Sequence, residues 1–265
     1  MTENKNAPVK KQENSVMPSY LQDMNTDKYS TGMGSEDIVI PRLKICQPMS
    51  STAKEENAEL RDGQLYSSID SSSFGDEMDV ILVDWYKAKT WFSEDNKFLA
   101  NQNFFRSGAS DIFGPEAEMI NSNEALKAKG QDQFCYWAIR VDDLVEAAKN
   151  GTVPDFYLWS VAGIAMKNAR KFNSQIKINE GKKLPIFCNI VTVNVIGETT
   201  KKGKAYIPNF TIKQGVFPTD IEFKILVGVR EQIDKMQANT SFNPDDLGGG
   251  GSAPTTDTTE KAAFN

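Results

Sequence analysis

The sequence predicts a mainly β fold of the α+β class: an OB-like antiparallel β-barrel with long insertions, one or two added helices and disordered termini. Many short segments rich in β-branched and aromatic residues favour strands. One mid-chain segment instead has the helical period. Long polar stretches separate these elements, and a five-stranded Greek-key barrel of the OB type is a common arrangement of such strands. The sequence does not establish whether the barrel is closed.

Composition divides the chain into three parts. Residues 1–36 are polar and lack sustained periodicity, so a disordered N-terminal arm is expected. Residues 37–240 carry the strand and helix signals and are expected to form the OB-like domain. Residues 241–265 include four consecutive glycines and predict a flexible acidic C-terminal tail.

The strand candidates are bounded by turn-forming or polar residues. In chain order they are Ile38–Cys46, Gln64–Ile69, Met78–Tyr86, Thr90–Phe92, Lys97–Phe105, Phe134–Val141, Asp155–Val161, Ile186–Ile196 and Ala205–Lys213. Pro41 cannot donate a ladder hydrogen bond, so the first strand is expected at a sheet edge or with a bend there. The polar stretch Ser50–Glu59 predicts a loop.

The clearest helix lies in the second half of the chain. Its apolar residues repeat with the helical period, at Ala165, Ala169, Phe172 and Ile176. The other side carries polar and mostly basic residues, Lys167, Arg170, Lys171, Ser174 and Lys177. Weaker signals predict a short helix within Pro115–Lys129, a helical turn over Asp142–Asn150 that ends near Gly151, and a helix or strand–helix element over Asp220–Met236.

Composition also excludes several classes of function. The chain has no histidine, so Ser-His-Asp and Cys-His catalysis and histidine zinc sites are impossible. Cys46, Cys135 and Cys188 are far apart and form no CxxC pair, which disfavours a zinc site or a disulfide set. We therefore expect no enzymatic activity, no metal and no cofactor. No apolar run approaches the roughly 20 residues of a membrane helix, so no membrane partner is expected.

Charge is distributed unevenly along the chain. Residues 165–215 hold ten cations and two acids, a balance of +8, whereas the whole chain is −6. The cations are Lys167, Arg170, Lys171, Lys177, Lys182, Lys183, Lys201, Lys202, Lys204 and Lys213. Most lie on the predicted helix or at the tip of the predicted hairpin, where lysines suit phosphate contacts. The segment predicts a polyanion-binding face, and a plain solvated helix remains the alternative.

Aromatic residues accompany these cations, and such residues stack on the bases of single-stranded nucleic acids. Alternation over Ala205–Ile212 puts Tyr206 and Phe210 on one face beside the lysine-rich tip. Tyr206 is the better stacking candidate, because the core is the favoured place for Phe210. Trp91, which is close to Lys87 and Lys89, is a second candidate platform.

Several short motifs resemble those of a phage family of single-stranded-DNA-binding, OB-fold-like proteins. Ile40-Pro-Arg-Leu-Lys-Ile-Cys-Gln47 is similar to that family's opening strand, and Leu158–Ser160, Lys167–Ser174 and Leu184–Phe187 are similar to its helix and following strand. The resemblance covers residues 38–236. It implies binding of the displaced strand in phage DNA replication and recombination, in the cytoplasm of the bacterial host. By this similarity Arg42 and Lys44 join Lys167, Arg170 and Lys171 as binding candidates.

The C-terminal tail has a resemblance of its own. Asp257, Glu260 and Phe264 make it similar to the acidic, phenylalanine-ended tails of bacterial single-strand-binding proteins, although Lys261 and Asn265 depart from that pattern. The similarity implies a docking tail, with Phe264 as its anchor, for phage replication, recombination or transcription proteins. A plain disordered end remains the alternative.

These observations favour a single-stranded-DNA-binding protein without enzymatic activity. Its Lys and Arg side chains are expected to contact phosphates while aromatic side chains stack on bases. The alternative from another class is a structural virion or scaffold protein whose basic face contacts DNA or a partner. A recombination annealase or a carboxylate–metal nuclease has no motif to support it.

Overall fold

A computed structural model of the chain describes residues 40–104, 110–122, 128–200 and 203–239. The strands in these ranges are β1 (Leu43–Ile45), β2 (Leu65–Ser67), β3 (Ser73–Gly75), β4 (Glu77–Phe92), β5 (Phe98–Phe104), β6 (Ser110–Phe113), β7 (Lys129–Arg140), β8 (Tyr157–Ala162), β9 (Ile190–Thr200) and β10 (Gly203–Ile212). The helices are α1 (Ser51–Glu56), α2 (Ala117–Asn121), α3 (Val141–Asn150), α4 (Met166–Gly181) and α5 (Asp220–Asn239). None of the helices in these ranges is long and apolar enough to cross a membrane.

The larger sheet is built around the 16-residue strand β4. β7 pairs with one edge of β4 over Val80–Phe92. The other edge is shared, because β9 pairs with its first residues, Glu77–Ile81, and β5 with its last, Lys87–Phe92. Beyond these strands, β10 pairs with β9, β6 with β5 and β8 with β7. Every pairing in this sheet is antiparallel. The two strands predicted over residues 78–92 are therefore one.

Both faces of this sheet are covered, which leaves all six residues of Phe134–Ile139 in β7 buried. On one face, which we call the α4 face, α4 and the small sheet β1–β2–β3 enclose a core with Tyr136, Phe172 and Phe210. On the other, which we call the α5 face, α3 and α5 enclose a second core with Trp137. Side chains of a strand alternate between the two faces, so β4, β7, β8 and β9 each contribute to both cores.

The antiparallel strands and accompanying helices confirm the predicted α+β class. The strand pairs of the described residues form open sheets, and β1 contacts both β8 and β10 without a ladder to β10. A single parallel bridge, Arg42 to Leu158, connects β1 to β8. Barrel closure and the OB topology therefore stay predictions, and the termini expected to be disordered lie outside the described residues.

Several element boundaries differ from those predicted. The polar stretch expected as a loop contains α1. β9 begins only at Ile190, because Ile186–Cys188 form a 3₁₀ turn that the Asn189 side chain holds by donating to the carbonyls of Pro185 and Ile186. The prediction for Gly151 is confirmed, since it ends α3 in the left-handed conformation with φ 67°.

Candidate nucleic-acid interface

The outer side of α4 is basic, as its sequence pattern predicts. Lys167, Arg170 and Lys171 are exposed, and none of them has an ion-pair partner within the described residues. The inner side is apolar, with Ala169, Phe172 and Ile176 buried in the core of the α4 face. Burial of that side fixes which side of the helix meets solvent.

Three contacts hold α4 on the sheet. The Phe172 ring stacks on the Phe210 ring of β10, with centroids 4.9 Å apart. The Tyr136 hydroxyl donates to Asn173 Oδ1 over 2.8 Å, and Asn168 Nδ2 donates to the Pro208 carbonyl over 3.0 Å. These contacts from β7 and β10 place the basic side of α4 in a fixed position beside the β9–β10 hairpin.

Lys204 lies on that hairpin and is exposed. Its Nζ atom is 4.8 Å from the centroid of the Tyr206 ring, a cation–π contact. A hydrogen bond to the Tyr206 side chain raises the pKa of Lys204. Lys201 and Lys202, the other predicted cations of this tip, lie outside the described residues.

Tyr206 is half-buried and is held through its main chain. Its N–H donates to Gln47 Oε1 over 2.9 Å, and its carbonyl accepts from Gln47 Nε2 over 2.7 Å. The ring packs against Gly63, where an added Cβ atom would lie 2.9 Å from Tyr206 Cδ1. The ring is thus positioned by the segment around α1, and no local sequence pattern indicates that support.

Phe210 is in the core and is not on the exposed surface. It is 8% exposed, and its ring contacts those of Tyr136, Trp159 and Phe172. Its candidacy for base stacking is therefore corrected, because the helix that carries the basic residues covers it.

The structure describes eight of the ten cations counted in the sequence, and two of these, Lys177 and Lys213, are paired with acids. Lys177 Nζ is 2.9 Å from Glu180 Oε2 on the same helix. Lys213 Nζ is 2.5 Å from Asp79 Oδ2, and Thr192 donates to the other oxygen of that carboxylate. These two lysines therefore contribute less to the field of the surface than Lys167, Arg170 and Lys171.

Arg42 and Lys44 are not part of the exposed basic surface. Arg42 is 9% exposed. Its main-chain N–H donates to the Ser68 hydroxyl, and its carbonyl accepts from the Ser68 N–H. It also forms a parallel β-bridge with Leu158. Burial and the nearby charge of Arg42 lower the pKa of Lys44, which is half-buried. The phosphate-binding role that the resemblance gave Arg42 is corrected, because its side chain is buried in the fold. For the half-buried Lys44 that role stays a prediction.

Trp91 lies near the far end of β4 and is half-buried. Lys89 Nζ is 5.2 Å from the centroid of its ring and 3.5 Å from Asp132 Oδ1. Gly130 on β7 lies opposite Trp91, and an added Cβ atom there would come within 3.1 Å of the indole. Trp91 therefore retains a partly open ring beside a lysine, as its sequence neighbours predict.

Phe104 is a neighbour of this group that sequence reasoning missed. It is 39% exposed and pairs with Lys87 across β4 and β5. Directly opposite residues share a face of the sheet, so Phe104 and the exposed Lys87 lie side by side. Only the strand register, and no local pattern, reveals this contact.

The strand registers bring these groups to one face of the larger sheet. Lys204 and Tyr206 alternate with Phe210, a core residue of the α4 face. Lys87 pairs with Phe134 of the same core, so Lys89 and Trp91 also point to the α4 face. The basic side of α4, the Lys204–Tyr206 pair and the Trp91 group therefore lie on the same side of the molecule.

The last predicted site residue, Phe264, lies outside the described residues. No curated protein and no solved structure matches the chain. Residues 10–224 match the model of a family described as Pam3 phage gp34-like protein. This match covers most of the chain, which therefore belongs to the Pam3 phage gp34-like protein family.

Proposed function

We propose that this phage protein binds single-stranded DNA without catalysing a reaction, in the replication or recombination of the phage genome. The observation that carries the proposal is the set of exposed cations on α4, Lys167, Arg170 and Lys171, which have no ion-pair partner within the described residues. A helix that is fixed to the sheet presents these charges in one direction. Such a surface suits a phosphate backbone, because phosphate contacts depend on charge more than on detailed geometry.

The aromatic residues favour a single strand over a duplex. Tyr206 and Trp91 are both half-buried, point to the α4 face and have a lysine over the ring. A base can stack on such a ring only if it is not paired inside a duplex. Lys204 and Lys89 have flexible side chains, so each can move from the ring to a phosphate when a base arrives.

Fluorescence anisotropy with labelled oligo-dT tests the proposal across a salt titration. The triple variant Lys167→Ala, Arg170→Ala, Lys171→Ala should bind more weakly, and its salt slope should fall by about 0.7 for each phosphate that is no longer neutralised. The control is Lys149→Ala, an exposed lysine on α3, which packs on the α5 face. Salt-independent binding, tighter binding to duplex than to single strands, or an unchanged slope in the triple variant would contradict the proposal.

A structural virion or scaffold role is the second candidate. Exposed isoleucines flank the basic side of α4, since Ile164 is 46% and Ile178 is 61% exposed. Apolar residues beside cations fit a protein partner with an acidic, partly apolar surface. Mass spectrometry of purified particles distinguishes the two candidates, because stoichiometric abundance in the particle is expected only of a virion component.

A further inference from the structure

Exposed apolar side chains gather at the start of α5. Val216, Phe217, Ile221 and Phe223 are 45%, 55%, 60% and 39% exposed. Scattered apolar residues are ordinary on a protein surface, whereas a contiguous group indicates a contact surface. The Phe187 ring supports Phe223 from the core side, with centroids 5.6 Å apart. The group is therefore part of an ordered surface.

One member of this group, Ile221, begins an exposed and mainly charged stripe along α5. The residues of the stripe are Ile221, Lys224, Gly228, Glu231 and Lys235, opposite the buried side chains of Leu226, Val229 and Ile233. With 3.6 residues per turn, all five lie within about 60° of Gly228 around the helix axis. A Cβ atom added to Gly228 would meet nothing within 4 Å, so the centre of the stripe is open.

The charges on this stripe complement those of the same stripe on a second, antiparallel copy. At a rise of 1.5 Å per residue, Lys224 lies about 6 Å before Gly228 and Glu231 about 4.5 Å after it, on the same side of the stripe. Within the described residues neither side chain has an ion-pair partner. A two-fold axis at Gly228 would bring each lysine opposite the other copy's glutamate.

We propose that this stripe binds a second copy of the chain, with the two α5 helices antiparallel and crossing at Gly228. Lys224 then pairs with the partner's Glu231 and Glu231 with the partner's Lys224, the reciprocal pattern of a two-fold interface. Gly228 allows the helices to approach closely, and Ile221 covers the second half of the partner helix. The surface lies on the α5 face, so the proposal does not depend on DNA binding by the α4 face.

Sedimentation equilibrium of the full chain, from about 1 to 100 μM, tests this dimer. Lys224→Glu and Glu231→Lys should each weaken it about tenfold, because two symmetric attractions become repulsions. The double variant should restore it, since the pairs are re-formed with their signs exchanged. Lys149→Glu, on an exposed position of α3, is the matched control and should have no effect.

A second variant separates dimerisation from folding. Gly228→Arg places a long side chain in open space and improves helix propensity, so the monomer should fold with unchanged circular dichroism while the dimer no longer forms. A monomer throughout the concentration range, no recovery in the double variant, or an undiminished dimer with Gly228→Arg would each overturn the proposal.

Discussion

At the scale of single residues, the half-buried ring of Tyr206 offers the most direct test of base stacking. Tyr206 is held by a side-chain amide and a glycine, both of which belong to the segment around α1. Its ring can therefore be changed while its main chain keeps its hydrogen bonds to Gln47. This separation makes Tyr206 a suitable position at which to measure stacking.

Tyr206→Ala is expected to reduce the affinity for oligo-dT by about 1–3 kcal/mol, because the variant loses a stacking surface. Tyr206→Phe keeps that surface and should bind almost as well as the natural chain. Anisotropy measurements on both variants, with urea unfolding to compare their stabilities, check this expectation. Equal losses for Phe and Ala would instead assign the effect to the hydroxyl.

Gly63 is the residue that sets the position of the Tyr206 ring. Its φ of +86° is strained for any residue with a Cβ atom, and that atom would lie 2.9 Å from Tyr206 Cδ1. Gly63→Ala should lower the free energy of unfolding by about 2 kcal/mol, from backbone strain together with crowding. Urea unfolding measures this change.

The matched control for that measurement is Gly151→Ala. Gly151 has a φ of +67° but has open space around a Cβ atom, so only the backbone strain is added. A loss of about 1 kcal/mol is expected there. If the two variants unfold at the same urea concentration, the contact between Gly63 and Tyr206 does not restrict the ring.

At the scale of elements, α5 is fastened to the sheet by an arginine as well as by its apolar side. Arg230 Nη1 donates to the Val83 carbonyl and lies 3.3 Å from Asp84 Oδ1, and Asp84 is only 2% exposed. Asp84 lies in β4 where the pairing with β7 shifts by one residue. The irregularity of the strand and the buried carboxylate therefore occur at the point where α5 is attached.

Arg230→Met should lower the free energy of unfolding by about 3 kcal/mol, because a buried carboxylate loses a cationic partner. Thermal unfolding followed by circular dichroism measures the effect. Lys149→Met, at an exposed position of α3, is the control for replacing a cation by methionine on the α5 face. A Tm equal to that of this control would show that the apolar side of α5 is sufficient to hold it.

At the scale of the whole molecule, the sequence predicts elements better than it predicts their assembly. The apolar period of α4 and the glycine that ends α3 are local patterns, and both predictions are confirmed. The long β4 was predicted as two strands, since no local pattern shows that one strand pairs with three neighbours. The burial of Arg42 was missed for the same reason, because a cation is ordinarily exposed unless tertiary contacts enclose it.

Some features of the candidate interface could likewise be predicted from local patterns, and others could not. The cations of α4 could be found from helical periodicity alone. That the Trp91 group lies on the same face as α4, and that Phe104 adjoins it, depends on the pairing of residues far apart in sequence. Such pairings are set by the sheet as a whole.

Residues 240–265 bear four acids and one lysine and provide a test at this scale. Removal of residues 248–265 should leave the affinity for oligo-dT equal or slightly higher, because negative charge is removed from a protein that binds a polyanion. Capture of phage replication or recombination proteins from infected-cell extract should be abolished. Replacing Phe264 by Ala in the full chain is the narrower control, and lower DNA affinity after truncation would contradict the docking role.

The main-chain groups of β10 that point away from β9 have a further consequence for the molecule. The Gln47 side chain forms hydrogen bonds with both the N–H and the carbonyl of Tyr206. The Asn168 side chain donates to the Pro208 carbonyl, and proline has no N–H. An unpaired strand edge is a template on which other chains add strands and aggregate. Two amide side chains and one proline therefore leave Tyr206 and Pro208 with no outward main-chain group to offer a foreign strand.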